Sequence, residues 1–421
     1  MALSMPREAA LKVLVKVENE GAYLNLALEE ELNAAGMGGR DSALCSRLCL
    51  GVMRNRAFLD HIISKLSTVK LKKLSVYILN ILRIGIYSLR FMDKIPAGAT
   101  VNECVKLARR YGHSSSAAYV NAVLRKAAEG GDYLDGLKGD ELLAVKYSMP
   151  LWLVKKWQRE QPDAEKLFAA MNTEPPTYCR LNAAEVPEGF EATDISPYTL
   201  IWRGAGSVSA SEAYKNGLVT IQDCASQLCV LALGINGGES VLDLCAAPGG
   251  KSVFAAYLGG KVTALDLHEH RTELINANAK RLGVNLKTSV GDALVHNPEF
   301  DCRFDRVLAD VPCSGLGIIR RKPDIKWTKT EEDGSELAKI QQGILENAAR
   351  YVRPGGRLVY STCTISKAEN EGIVKWFLKK QPDFTAVALG IKYAPEDTQL
   401  QLRPDIHPSD GFFIAAFERS T

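Results

Sequence analysis

The apolar residues of the first 130 positions recur at helical spacing. One set, Ala10, Val13, Leu14 and Val17, falls three or four residues apart. The segment Leu74–Leu89 is apolar on nearly all sides, which predicts a central buried helix. No strand-like alternation occurs before the stop at Gly130-Gly131. This pattern predicts an all-α bundle.

The pattern changes between about residues 140 and 235. Prolines interrupt it at Pro150, Pro162, Pro175, Pro176, Pro187 and Pro197. The short runs Tyr178–Asn182 and Thr199–Arg203 are rich in residues that favour strands. We therefore expect a small α+β segment here.

From about Gly237 onward, β-rich runs alternate with helical ones. The β-rich runs are Ser240–Leu244, Lys261–Leu265, Leu286–Val290, Arg306–Ala309 and Arg357–Tyr360. Such alternation predicts a parallel sheet with helices on both faces, which is a Rossmann-like α/β domain. The chain is thus expected to be multidomain, with an all-α part at 1–135, an α+β segment at 136–235 and an α/β domain at 236–421.

Charge distinguishes the first part from the rest of the 421-residue chain. Residues 1–130 contain 19 Lys and Arg against 11 Asp and Glu, whereas the remainder contains 33 against 38. A basic module joined to a slightly acidic one suggests that the first part meets a polyanion. A helical domain that is merely rich in lysine is the alternative.

Cysteine spacing and hydropathy limit the class of protein. The ten cysteines include no C-x-x-C pair, so neither a disulfide framework nor a zinc site is expected. Charges near the N-terminus argue against a signal peptide. The most apolar stretch, Val76–Leu89, is interrupted by Asn80 and Arg83 and is too short for a membrane span. We expect a reduced, cytoplasmic protein without a membrane or metal partner.

A glycine turn follows the first strand of the α/β part, in Val241–Ser252 with Pro248-Gly249-Gly250 at its centre. Such a turn lets a ligand approach the backbone at the strand's carboxyl end. Asp266 and Asp292 follow the next two strands, where carboxylates suit a ribose diol and an adenine amino group. The missing G-x-G-x-x-G argues against a dinucleotide, and the acids favour the cationic S-adenosylmethionine. A purely structural turn is the alternative.

Two cysteines follow the last two predicted parallel strands, in Asp310-Val311-Pro312-Cys313 and Thr362-Cys363-Thr364. Burial as small apolar residues is the ordinary explanation for a cysteine. A pair at one sheet edge instead suits thiolate addition to carbon 6 of a cytosine, which makes carbon 5 nucleophilic. The addition also needs a proton or hydrogen bond at the ring nitrogen N3, which a carboxylic acid can supply, and Lys251 is a candidate to favour a thiolate by its charge. Chemistry alone leaves open which cysteine attacks.

Together these motifs resemble those of RNA cytosine-5 methyltransferases. Further matching segments are Gln222–Gln227, Arg321–Trp327, Glu369-Asn370-Glu371 and Asp410–Phe413. The basic helical region resembles the NusB-like RNA-binding domain of one bacterial branch, the RsmB-type (Sun-type) 16S ribosomal RNA methyltransferases. The resemblance implies a NusB-like domain at 1–135, an RNA-binding linker at 136–235 and an S-adenosylmethionine-dependent catalytic domain at 236–421.

The resemblance also implies roles for individual residues. Cys363 is the nucleophile, Cys313 assists product release and Asp310 contacts the cytosine. Lys251 joins the catalytic set because of its charge, as argued above. The residues expected to bind the cofactor are Cys245, Ala246, Ala247, Pro248, Gly249, Gly250, Lys251, Asp266, Arg271, Asp292 and Asp310. The expected partner is 16S ribosomal RNA, free or in a partly assembled small subunit. The oligomeric state stays open.

Two rival interpretations are open. One is a DNA cytosine-5 methyltransferase, which would use the Pro-Cys cysteine as nucleophile, and the other is a non-catalytic RNA-binding scaffold.

Two local predictions concern single segments. Ser366–Glu369 has the spacing of a helix capping box, which predicts a structural role for Glu369. Basic and aromatic side chains between Arg320 and Trp327 predict phosphate contacts and base stacking.

Overall fold

The computed structural model of the chain describes residues 4–421. Its helices of four or more residues are α1 (Met5–Glu20), α2 (Leu24–Ala34), α3 (Gly39–Arg54), α4 (Arg56–Leu66), α5 (Val76–Phe91), α6 (Ala97–Tyr111), α7 (Ser116–Ala128), α8 (Gly139–Lys146), α9 (Leu151–Glu160), α10 (Ala164–Met171), α11 (Glu212–Lys215), α12 (Cys224–Leu231), α13 (Gly250–Tyr257), α14 (Glu269–Arg281), α15 (Ile325–Thr328), α16 (Asp333–Tyr351) and α17 (Glu371–Lys380). Its strands are β1 (Tyr178–Leu181), β2 (Phe190–Ala192), β3 (Thr199–Trp202), β4 (Val219–Ile221), β5 (Ser240–Asp243), β6 (Lys261–Asp266), β7 (Lys287–Val290), β8 (Phe304–Asp310), β9 (Val352–Thr362), β10 (Phe384–Ala386), β11 (Gln399–Leu402) and β12 (Phe412–Arg419).

These elements form two compact units. The first contains the described residues up to Thr173 together with Ile319–Lys329, and the second contains Glu174–Ile318 and Thr330–Thr421. The sequence predicted three segments, with boundaries after residues 135 and 235. This division stays a prediction, because the two compact units have different boundaries.

The first unit is a helical bundle around α5, as the apolar pattern predicted. Buried side chains of α1, α3, α5, α6 and α7 form its core. Asn80 and Arg83 of α5 are buried within a charged network. Arg83 donates from Nε to Asp60 Oδ1 at 2.6 Å and from Nη1 to Glu18 Oε2 at 2.8 Å, while Asn80 Nδ2 also donates to Glu18. Paired in this way, a buried guanidinium is tolerated.

The first unit also holds α8, α9 and α10, which the sequence analysis assigned to an α+β segment. Pro150 directly precedes α9, and Pro162 lies two residues before α10. Proline is disruptive in a helix interior but compatible with a helix start. The prolines therefore separate short helices in this region.

The second unit contains two sheets. The smaller sheet is antiparallel, in the order β2-β3-β1-β4. The larger sheet has the order β10-β12-β9-β8-β5-β6-β7, with β11 paired to β12. Its β9-β8-β5-β6-β7 part is parallel, as predicted, while β10, β11 and β12 are antiparallel additions.

Helices cover both faces of the larger sheet. Val307 and Ala309 of β8 pack into a core with α16 and α17, whereas Leu308 between them packs into a core with α12 and α13. Successive residues of a strand point to opposite faces, so β8 is apolar on both sides.

The parallel strands end at one edge of this sheet. Asp243 of β5 pairs with Ala264 and Leu308 on the neighbouring strands, and Asp310 of β8 pairs with Ser361 of β9. The order of the strands in the sheet reverses direction at β5, which has β8 on one side and β6 on the other. In doubly wound sheets, ligands bind at such a reversal, on the carboxyl side.

No helix of residues 4–421 is long and apolar enough to cross a membrane. Within the same described range, no three or more His, Cys, Asp or Glu side chains are grouped so as to hold a metal ion. All ten cysteines are free thiols.

Candidate active site

The glycine turn between β5 and α13 is fixed to the next strand. Ala246 N donates to Leu265 O at 2.9 Å, and Ala247 N donates to Asp266 Oδ2 at 3.0 Å. Gly249 has φ +97°, and a Cβ there would lie 3.0 Å from Ile275 Cα. Both the backbone conformation and this close approach require glycine.

Carboxylates surround this turn at the sheet edge. Asp243 is buried, and its Oδ2 accepts a hydrogen bond from Ser252 Oγ at 2.6 Å, while its Oδ1 has no partner among the described residues. Burial raises the pKa of Asp243 to about 6, against the opposing effects of Ser252 and Lys251. Asp266 is also buried and lies 3.3 Å from Arg271 Nη1.

Asp292 lies farther along the same edge. Its Oδ1 accepts from Leu294 N at 2.9 Å, and the side chain helps to line a cavity of about 260 Å³ with Leu265 and Val295. The carboxylates, the unpartnered Asp243 Oδ1 and the glycine turn fit a cationic nucleoside such as S-adenosylmethionine. Carboxylates attract a sulfonium and an ammonium, and they would repel a pyrophosphate.

Cys245 begins the turn but is poorly suited to react. Burial raises the pKa of its thiol well above the ordinary value, and the charges of Asp243, Asp310 and Asp266 raise it further. Because a thiol of raised pKa stays protonated at neutral pH, a packing role fits Cys245 best.

Lys251 and Asp310 form an ion pair, with Nζ 2.6 Å from Oδ2. Ser361 Oγ donates to the other oxygen, Oδ1, at 2.7 Å. Burial opposes the charge of Lys251, but Asp310 and its other neighbours outweigh burial and raise its pKa. The structure thus pairs the Lys251 ammonium with Asp310, and its effect on a cysteine thiolate stays a prediction.

Cys313 and Cys363 are neighbours. Their Sγ atoms lie 3.0 Å apart, and Cys363 N donates to Cys313 Sγ at 3.2 Å. The hydrogen bond with Cys363, burial and the charges of Cys363 and Glu369 raise the pKa of Cys313 well above the ordinary value. Cys313 therefore remains a thiol at neutral pH.

The turn that carries Cys363 is held by backbone contacts. Gly317 N donates to Cys363 O at 3.0 Å, and Gly411 N donates to Gly317 O at 2.9 Å. A Cβ on Gly317 would overlap the carbonyl of Gly411 and lie 2.8 Å from Cys363 O. The chain order of these glycines does not reveal that their backbones touch.

The capping box predicted for Ser366–Glu369 was wrong, because α17 begins only at Glu371. The buried carboxylate of Glu369 instead accepts hydrogen bonds from Ser314 N at 2.9 Å and Ser314 Oγ at 2.6 Å, so its role in the protein is still a structural one. The RNA contacts predicted for Lys326 and Trp327 were also wrong. Lys326 and Trp327 face the interior of the first unit. Lys326 is buried, with Nζ 2.9 Å from Arg54 O, and Trp327 Nε1 donates to Met53 O at 2.8 Å.

Arg180, a buried residue of β1, was not among the site residues expected from the sequence. Its Nη1 donates to Gln222 Oε1 at 2.6 Å and to Gly250 O at 2.8 Å, and its guanidinium lies 4.6 Å from the ring centre of Phe254. Arg180 thereby joins the small sheet to the glycine turn. The signal available in the sequence was an arginine within a run of otherwise apolar strand residues.

Two family models match the chain. The one described as 16S rRNA methyltransferase RsmB/F matches residues 230–418, and the one described as NusB family matches residues 4–129. The "Probable ribosomal RNA small subunit methyltransferase B" of Bacillus subtilis is 35% identical, covering 98% of both chains. The "Ribosomal RNA small subunit methyltransferase B" of Klebsiella pneumoniae is 34% identical, covering 97% of both.

Solved structures share the fold. The crystal structure of PH0851 has a TM-score of 0.82 and 26% identity, covering 100% of this chain and 99% of its own. A methyltransferase homolog from Pyrococcus horikoshii has a TM-score of 0.57 and 28% identity, covering 66% of this chain and 97% of its own.

Proposed function

The chain belongs to the 16S rRNA methyltransferase RsmB/F family and carries a NusB-like N-terminal domain, and from this premise we propose that it methylates carbon 5 of a cytosine in small-subunit ribosomal RNA. The observation that carries the proposal is the pair of thiols, 3.0 Å apart, at the sheet edge where Asp310 and Lys251 meet. A methyltransferase that alkylated a nitrogen or an oxygen would not need two cysteines there.

The nucleophile in this proposal is Cys363. Its thiolate adds to carbon 6 of the cytosine, and the electron pair of the double bond makes carbon 5 nucleophilic. Asp310 supports a proton or hydrogen bond at the ring nitrogen N3, and the Lys251 ammonium, 2.6 Å from Asp310 Oδ2, holds that carboxylate in place. The choice of Cys363 over Cys313 for this role follows the resemblance to RNA cytosine-5 methyltransferases.

Product release needs the second cysteine. After carbon 5 has gained the methyl group, it loses its proton, and the returning electron pair expels the Cys363 thiolate from carbon 6. Cys313, beside the leaving sulfur, assists this elimination. A target base that is unpaired or flipped out of its stack would reach the two thiols.

S-adenosylmethionine is the proposed cofactor and supplies an electrophilic methyl group when bound. Asp266 and Asp292 would hold its ribose and adenine, with Arg271 orienting the carboxylate of Asp266. Residues 245–251 would bring the backbone close to it. The expected RNA partner is 16S ribosomal RNA, free or in an assembly intermediate.

Single cysteine variants test the chemistry with labelled S-adenosylmethionine and 16S ribosomal RNA. Cys363→Ala should lose methyl transfer and form no covalent adduct, whereas Cys313→Ala should form an adduct that persists on a denaturing gel. Cys302→Ala, at an exposed thiol, is the control and should behave as wild type. Near-normal transfer by Cys363→Ala would overturn the nucleophile assignment.

The substrate is tested separately. Bisulfite sequencing of ribosomal RNA from cells without this protein should show the loss of one cytosine-5 methylation. A parallel assay with single-stranded DNA of the same sequence tests the DNA methyltransferase alternative. Methylation of the DNA alone would contradict the RNA assignment.

A further inference from the structure

Glu369 and Asn370 lie between β9 and α17, and each side chain is attached to a different cysteine turn. We call Asp310–Gly315 the Cys313 turn and Thr362–Thr364 the Cys363 turn. Both side chains are fully buried. Their contacts therefore decide how the two turns sit against each other.

Glu369 holds the Cys313 turn. Its Oε2 accepts from Ser314 N at 2.9 Å, and its Oε1 accepts from Ser314 Oγ at 2.6 Å. Gln341 Nε2 donates to Glu369 Oε2 at 3.1 Å and to Pro312 O at 3.0 Å. The backbone on both sides of Cys313 is thus fixed through one carboxylate. Hydrogen bonds to a charged group are the stronger kind.

Asn370 holds the Cys363 turn. Its Oδ1 accepts from Thr362 Oγ1 at 2.7 Å, and its Nδ2 donates to Thr364 O at 3.0 Å. These bonds reach the residues immediately before and after Cys363. Nδ2 also donates to Gln401 Oε1 at 2.6 Å, which ties the turn to β11.

One further bond joins the two turns directly, since Ser314 Oγ lies 2.8 Å from Thr364 Oγ1. Tyr360 OH donates to Glu369 O at 2.6 Å, so the Glu369 backbone is fixed to β9. A buried polar network of this kind is rigid when every member is satisfied. Movement of either turn would leave a buried donor or acceptor unpaired, which is costly.

We propose that Glu369 and Asn370 are positioning residues that set the distance between the two thiols, Glu369 through the Cys313 turn and Asn370 through the Cys363 turn. The catalytic consequences rest on the proposed function. The distance between the two thiols does not depend on the proposed function, because it follows from contacts within the protein alone.

The two residues should act on different steps. Glu369→Gln keeps the size but replaces the charged carboxylate by a neutral amide, whose hydrogen bonds to Ser314 and Gln341 are weaker, so the Cys313 turn loosens and product release slows. We expect kcat to fall roughly tenfold to hundredfold at unchanged KM for RNA, with accumulation of the adduct. Asn370→Asp places a carboxylate oxygen against Thr364 O, so adduct formation itself should slow and no adduct should accumulate.

A second measurement reports the spacing without RNA or cofactor. Diamide takes two electrons and two protons from the two thiols, which become a disulfide while diamide becomes a hydrazine. Peptide mass spectrometry on the full chain measures how fast Cys313 and Cys363 join. We expect the wild type to react at least roughly tenfold faster than either variant, because thiol reactions depend on access and approach geometry.

Glu336→Gln is the matched control, since Glu336 is an exposed glutamate of α16, and it should oxidise and methylate as wild type. If Glu369→Gln fails to fold, Ser314→Ala removes one bond to the same carboxylate and takes its place. Wild-type oxidation rates in folded variants would overturn the proposed positioning role. If the wild type methylates no RNA, the proposed function fails, while the oxidation rates still decide the spacing.

Discussion

At the scale of single residues, the sheet edge concentrates negative charge where burial makes charge costly. Asp243 shows this most clearly. Its Oδ2 accepts one hydrogen bond from a side chain, that of Ser252, and its Oδ1 has no partner among the described side chains. Such a group stores unfavourable electrostatic energy that a cationic ligand would relieve. The dependence of the free energy of unfolding on pH measures this electrostatic energy.

The stability contributed by Asp243 should decrease as the pH rises. Its pKa of about 6 in the folded protein exceeds that of an unfolded aspartate, so its contribution is fully present below the unfolded pKa of about 3.9 and is lost as the pH passes 6. Asp243→Asn cannot ionise. Between pH 4.5 and 7.5, the variant's free energy of unfolding should therefore gain about 2 kcal/mol relative to wild type.

Urea unfolding at both pH values measures this difference. Asp397→Asn, at an exposed aspartate, is the control and should show no comparable gain. A difference between Asp243→Asn and wild type that does not change with pH would contradict the raised pKa.

At the scale of elements, the segment Ile319–Lys329 packs with the helical unit although it is far away in sequence. Leu24 N donates to Asp324 Oδ2 at 3.2 Å, and Arg56 lies 5.4 Å from the ring centre of Trp327. Burial, with the nearby Arg54 charge, holds the pKa of Lys326 well below its ordinary value. The segment therefore completes the bundle core.

Trp327→Ala should destabilise the helical unit by about 3 kcal/mol, because it removes a large aromatic side chain from the core and leaves Met53 O without its donor. Hydrogen exchange of the α3 and α4 amides should accelerate accordingly. Thr328→Ala, at an exposed position in the same segment, should change little. Unchanged exchange in Trp327→Ala would show that the segment does not support the bundle.

At the scale of the whole molecule, positive charge is concentrated in residues 1–130. A groove of about 740 Å³ runs between α6 and α7 and is lined by Arg109, Arg125, Asn102 and Asn121 among small residues, with no acid in its described lining. Such a groove suits a phosphate backbone. Deleting residues 1–130 would be a poor test, because Ile319–Lys329 would lose the core it packs against.

Charge reversal within the intact chain is the better test. Arg109→Glu with Arg125→Glu should weaken RNA binding and reduce the slope of log affinity against log salt by on the order of one to two. Lys379→Glu, at an exposed position outside the helical unit, is the control. Filter binding from 50 to 300 mM salt measures both effects, and an unchanged slope would place the RNA elsewhere.

Parts of the site could be predicted because local sequence carries them. Cys313 and Cys363 each follow a parallel strand, and such strands end at one edge, so their proximity was expected. Glu369 was misread because the spacing to Ser366 also fits a capping box. Lys326 and Trp327 were misread because a basic residue beside an aromatic one looks like an RNA contact when burial is unknown.

The sequence by itself determined the helical bundle, the parallel sheet and the family, because periodicity and ordered motifs are local properties of the chain. Only the tertiary structure decided that Lys251 neutralises Asp310, that Glu369 and Asn370 hold the two cysteine turns, and that Ile319–Lys329 completes the helical core. These contacts join residues up to 300 positions apart. These contacts form only when the chain folds, because a buried polar group can bond only to the partners that packing places beside it.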